Sequence, residues 1–119
     1  MSGALTFSAG IGDDGGLAVT ANNVTKTSSG FAASGTVTST QLPNANPVGG
    51  SSPYTYAWAR ISGSTAPAVS SATARNPSWS GTVTDGVVEA AVWRVTVTDA
   101  LSATAAVDIT VTLIWGNLS

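Results

Sequence analysis

Cysteine and histidine are both missing from the 119 residues of this chain. Their absence removes disulfides, thiol chemistry, the commonest general base and the commonest metal ligand together. Stability is left to packing and hydrogen bonds, and the redox compartment cannot be read from cysteine usage. Charge is almost as scarce, at 8% of residues with a net charge of −2. One lysine, Lys26, and the arginines Arg60, Arg75 and Arg94 cannot lay a basic stripe along phosphates, which argues against nucleic acid as a partner. The same shortage argues against a polybasic membrane patch. No apolar run approaches the roughly 18 residues of a membrane span, and residues 1–6 lack the charged and apolar regions of a signal peptide. The sequence therefore reads as a complete small product made in the cytoplasm. Its length suits a single domain over residues 1–119, with a core of ordinary size.

What is abundant is threonine, serine, alanine, glycine and valine. β-Branched side chains suit pleated surfaces, and no segment has convincing helical periodicity. The lysine and glutamate that keep solitary proteins apart are nearly absent, a balance expected of a chain destined for an assembly or an exterior surface.

The pattern is strongest at residues 53–60, Pro-Tyr-Thr-Tyr-Ala-Trp-Ala-Arg. In an extended strand Tyr54, Tyr56 and Trp58 share one face. Residues 91–99 supply a second strand, with Ala91, Trp93, Val95 and Val97 on one face and Arg94, Thr96 and Thr98 on the other. The two strands are expected to face each other at the centre of a β-sandwich. Around them, residues 5–9 (Leu5, Phe7 and Ala9 alternating with polar residues) and 17–20 predict short strands, and residues 22–30 a polar link. Residues 31–42 predict a Thr-rich strand with Gly35 as a bulge. Residues 43–53 read as a long Pro/Gly loop, 62–67 as a second loop, 68–74 as an edge segment and 76–83 as a strand. Asp85-Gly86 carries a hairpin signal. Residues 88–98 and a last strand lined by Ala105, Val107, Ile109, Val111, Leu113 and Trp115 complete about seven to eight strands.

Two stretches carry a family likeness. Residues 51–63 (SSPYTYAWARISG) and 93–99 (WRVTVTD) resemble the immunoglobulin-like domains appended to tailed-bacteriophage virion proteins, and the likeness extends over residues 17–113. The Tyr-x-Trp and Val-Thr-Val-Thr-Asp parts are also similar to bacterial surface domains of the polycystic-kidney-disease (PKD) type. The resemblance implies an all-β, immunoglobulin-like sandwich of antiparallel strands in two sheets. It further implies a non-enzymatic virion structural protein that binds capsid or tail proteins in multiple copies on a lattice, at the virion surface. Related folds often carry cysteine where Val95 stands, so here Trp58 packed on Val95 and its neighbours is expected to pin the sheets. Such phage domains are usually fused to a larger protein, whereas this sequence runs from Met1 to Ser119. It resembles in this the small decoration proteins that attach without a covalent link.

For the carboxylates Asp13, Asp14, Asp85, Glu89, Asp99 and Asp108, catalysis would need two to converge in a pocket. Asp85 and Asp99 sit where turns favour aspartate, and an acid pair without histidine has few reactions open to it. No catalytic residue is expected. Asp13 and Asp14 lie in a glycine-rich turn, but Ile11 and Leu17 flank them where calcium would need oxygen ligands, so neither metal nor cofactor is expected. The aromatic residues 54, 56, 58, 79 and 93 have the inward parity of core residues, which disfavours a sugar-stacking platform. Trp115 differs, because with Ile114 and Leu118 it stands at the chain end. Together with Leu5 and Phe7 these form the candidate attachment cluster; the other account is that Leu5, Phe7 and Trp115 close the bottom of the domain's own core. Asn44, Asn46, Ser64 and Thr65 mark loops expected to point outward, and in the alternative reading the domain is a module that uses such loops to bind host-surface glycans. A bacterial adhesin domain is a third class, against which the lack of signal and anchor sequences counts.

Overall fold

The computed structural model describes residues 16–118. The strand expected at Leu5 and Phe7, and the turn bearing Asp13 and Asp14, lie outside the described residues. Within them there is no helix. Nine strands follow in order: β1 (Ala18–Thr20), β2 (Val24–Gly30), β3 (Ser34–Thr38), β4 (Asn46–Val48), β5 (Thr55–Gly63), β6 (Ala68–Val69), β7 (Trp79–Thr84), β8 (Val88–Thr98) and β9 (Thr104–Asn117). They form a four-stranded sheet in the order β2-β9-β8-β5, a three-stranded sheet β3-β7-β6 and a two-stranded ribbon β1-β4. All pairs are antiparallel except β2 with β9.

Alternation decides which residues form the core. Along β8, Ala91, Trp93, Val95 and Val97 are buried, and along β9 Ile109, Val111 and Leu113 are. These meet Trp79 and Val83 of β7 and Val37 of β3 from the facing sheet. The core has two parts. The larger holds Trp58, Trp79 and Trp93 with Val19, Val24, Ala45 and the upper valines. The smaller, toward the end of β9, holds Val37, Val83 and Leu113, with Trp115 packed against it.

The structure corrects several expectations. β5 and β8 do not face each other: they are neighbours in one sheet, with Trp58 opposite Val95 in the register. What faces them is β7, whose Trp79 enters between the two indoles. Its ring centroid lies 5.2 Å from Trp58 and 5.8 Å from Trp93, edge-to-face in both pairs. The pin between the sheets is thus a wedge of three tryptophans, in geometry that aromatic quadrupoles favour.

Residues 22–30, expected as a polar link, contain β2. Only Val24 of this strand is buried, so hydropathy gives it no signal; backbone pairing with β9, from Val24 opposite Val111 to Gly30 opposite Asn117, makes it a strand. The long loop of residues 43–53 contains β4. Proline lacks an N–H and is tolerated at sheet edges, and Pro47 sits opposite Val19 in a two-stranded ribbon. Asp85-Gly86 is a tight turn, with the Val87 N–H donating to the Thr84 carbonyl at 3.0 Å and Gly86 at φ 80°. It is not a hairpin, since β7 and β8 belong to different sheets.

The Thr-rich strand is shorter than residues 31–42, and Gly35 makes no bulge: its register with Val83 is unbroken. The irregularity falls instead between Arg60 and Ser62 of β5. Gly35 is needed for another reason. A methyl group there would overlap the six-membered ring of Trp115, and one on Gly30 would come within 2.8 Å of it.

Candidate docking surface

Strand direction separates two ends of the sandwich. β8 and β9 meet at the turn of residues 99–103, the hairpin pole; β9 then runs its full length to Asn117 and Leu118, the tail pole. At about 3.3 Å per residue the poles are roughly 40 Å apart.

The hairpin pole is organised by Asp99. Its Oδ1 accepts the N–H groups of Leu101 and Ala103, both at 2.9 Å, and its Oδ2 accepts that of Ser51 at 3.0 Å. The Ser51 N–H first, with those of Ala103 and Leu101, holds this carboxyl below the usual carboxylate range against the opposing effect of burial. Gly50, at φ +65°, lies so close that a methyl group on it would come within 2.7 Å of Asp99 Oδ2 and 3.2 Å of Leu17 Cδ1. The described chain therefore enters at this pole.

The tail pole is built from three segments tied by backbone bonds. The Leu118 N–H donates to the Gly30 carbonyl at 2.6 Å and the Asp85 N–H to the Ala33 carbonyl at 2.9 Å. The Asn117 N–H donates to Asp85 Oδ1 at 2.9 Å. These bonds bring together the chain positions of Phe31, Val87, Val88 and Leu118, four of the eight large apolar residues exposed among the described residues. Phe31 is 77% exposed, and Val88 and Leu118 are each 58% exposed. Leu101, at the hairpin pole, is the most exposed of the rest.

Of the candidate attachment residues, Ile114 and Leu118 belong to the tail pole. Ile114, half-buried, stands opposite Val88 on the outer face of the larger sheet. Trp115 has not left the sandwich. It lies within β9, its ring covers Gly30 and Gly35, and its indole N–H donates to the Ala32 carbonyl at 3.0 Å. Leu5 and Phe7 lie outside the described residues. Reading hydropathy alone missed Phe31, Val87 and Val88; Phe31 directly follows Gly30, the last residue of β2, and Val87 directly follows the turn glycine Gly86.

The outward loops are likewise not brought together. Ser64 and Thr65 lie beside the start of β8, where the Ser64 N–H donates to the Ala90 carbonyl at 2.8 Å and its hydroxyl donates to Glu89. Asn44 is held through its N–H to Asn76 Oδ1 at 2.9 Å, and Asn46 opens β4 on the flank that leads to the hairpin pole. Tyr54 and Tyr56 are half-buried against the larger core, and the Tyr54 hydroxyl donates to the Gly49 carbonyl at 2.6 Å. On the outer face Arg94 pairs with Asp108 at 2.7 Å, which raises the Arg94 pKa and lowers that of Asp108, chiefly through the hydrogen bond between them. Among the described residues no group of three or more His, Cys, Asp and Glu side chains is placed to hold a metal ion.

No family model and no curated protein matches the chain. Among solved structures it is similar to the PKD domain of human KIAA0319, determined in solution, at 18% sequence identity and a TM-score of 0.49, over 95% of this chain and 96% of that one. By strand order and register, the chain is an immunoglobulin-like β-sandwich.

Proposed function

We propose that this chain is a non-enzymatic structural protein of a virion, a decoration protein that docks on capsid or tail subunits through its tail pole. The immunoglobulin-like sandwich fits an interaction module in general. The observation that carries the narrower reading is the apolar tail pole, Phe31, Val87, Val88 and Leu118, on a chain of which only 8% of residues are charged, so that little repels a neighbouring protein. The likeness of residues 51–63 and 93–99 to phage virion domains supplies the kind of assembly. In the proposed arrangement the protein sits at the virion surface in many copies on a lattice. A glycan-binding module is the weaker reading, because Trp58, Trp79 and Trp93 are buried and Tyr54 and Tyr56 pack on the core.

The test is to add purified protein to particles assembled without it and to measure co-sedimentation. The reading expects saturable binding, weakened about thirtyfold by Phe31→Ser, as is usual when an aromatic anchor is lost. Absence of binding to both heads and tails would overturn it.

A further inference from the structure

We infer that the tail pole of one copy receives the N-terminal segment of a second copy, residues 5–11, so that copies join head to tail. This deepens the reading above, since it rests on the same pole being a docking surface and names what occupies it between copies.

Three observations lead there. The chain enters the described structure at Gly16 and Leu17, beside Gly50 and Asp99, while Phe31 and Leu118 stand at the other pole. The segment before Gly16 has the sequence of a docking strand: Leu5, Phe7, Ala9 and Ile11 occupy alternate positions, and the first ionisable side chain in the sequence is Asp13. The segment thus matches the apolar patch in character, the patch having the exposed Asp85 at its margin, and it leaves the described chain at the opposite pole. Length limits the contact within one chain. From Leu17 back to Phe7 the backbone reaches about 36 Å when fully extended, short of the roughly 40 Å between poles, so Phe7, Ala9 and Ile11 cannot lie on the patch of their own chain. A second copy has no such limit. The segment joins different surfaces of two molecules, so the contact is heterologous and propagates rather than closing as a dimer.

Sedimentation velocity on the purified protein tests this without any particle. The weight-average sedimentation coefficient rises with concentration and does not level off at the dimer. Phe31→Ser with Leu118→Ser, at the pole, and Leu5→Ser with Phe7→Ser, in the segment, each return the protein to a monomer. An equimolar mixture of the two double variants has one intact contact per pair and stops at the dimer. A monomer at every concentration for the parent, or association that survives the segment variant, overturns the inference; the latter would mean pole-to-pole pairing. A second measurement does not depend on those substitutions. In a chain without cysteine, Ser8→Cys together with Ser29→Cys gives, on oxidation, a ladder of disulfide-linked multimers, whereas each single variant gives dimers at most. Absence of species beyond the dimer in the double variant counts against the inference. Because particle binding is measured separately, failure of self-association leaves the proposed docking standing, and failure of docking leaves self-association intact.

Discussion

At the scale of single residues, the three tryptophans of the wedge are not equivalent. The Trp58 indole N–H donates to the Ala74 carbonyl at 2.8 Å, whereas the buried indole N–H groups of Trp79 and Trp93 have no hydrogen-bond partner among the described residues. Truncating Trp58 to alanine removes an indole from the centre of the sandwich and is expected to cost about 3–5 kcal/mol in denaturant unfolding. The phenylalanine variants discriminate more finely. Trp58→Phe orphans the Ala74 carbonyl and Trp93→Phe orphans nothing, so the first should be the more destabilising by about 1 kcal/mol. Equal losses would show that ring volume alone matters. Asp99 gives a pH dependence whose sign follows from its bonds. Its folded pKa lies below the unfolded value, so its contribution is fully present above about pH 4 and is lost as pH falls through the folded value. Asp99→Asn should therefore melt below the parent at neutral pH, and the gap between the two should close as the pH is lowered through that range. A gap constant with pH would assign the difference to shape rather than charge.

At the scale of elements, β2, β3 and β9 meet where Trp115 lies over Gly30 and Gly35. Gly35→Ala forces the indole aside, so it should lower the melting temperature and shift tryptophan fluorescence. In a Trp115→Ala background the same change should be nearly neutral, a coupling that a double-mutant cycle measures. Equal effects in both backgrounds would place the strain elsewhere. This contact also marks the limit of what the sequence discloses. Strands with one buried face, β8 and β9, were legible to within a residue or two, because alternation of Trp, Val and Ile records burial directly; β5 was legible in its aromatic half, but it runs on through Ser62 and Gly63, expected as loop, by pairing with Val92 and Ala91 of β8. β2 was not, since its Thr-Lys-Thr-Ser-Ser run buries almost nothing and owes its conformation to the backbone of β9. Nor could alternation tell whether β5 and β8 lie side by side or face to face, because both arrangements bury the same residues. The tail pole was half legible: Ile114 and Leu118 stand out at the end of an apolar strand, but Phe31 becomes their neighbour only through the β2–β9 pairing.

At the scale of the whole molecule, scarcity of charge makes a prediction about the proposed docking. If Phe31, Val88 and Leu118 make its contacts, apolar burial rather than ion pairing holds them, so attachment should change little between low and moderate ionic strength; release by salt alone would show that ionic contacts dominate. The path of the chain has a further consequence, a mechanical one. The described chain enters at the hairpin pole and leaves at the tail pole, and on the way β2 runs parallel to β9 over seven register pairs, Val24 with Val111 through Gly30 with Asn117. Tension applied between Gly16 and Leu118 would pull these two strands along their length in opposite directions. The hydrogen bonds of a parallel pair loaded in that way share the force and yield together, whereas those of the β8–β9 hairpin, pulled apart from its open end, would yield one after another. The sandwich is thus built to be stiffest along the axis that joins its poles.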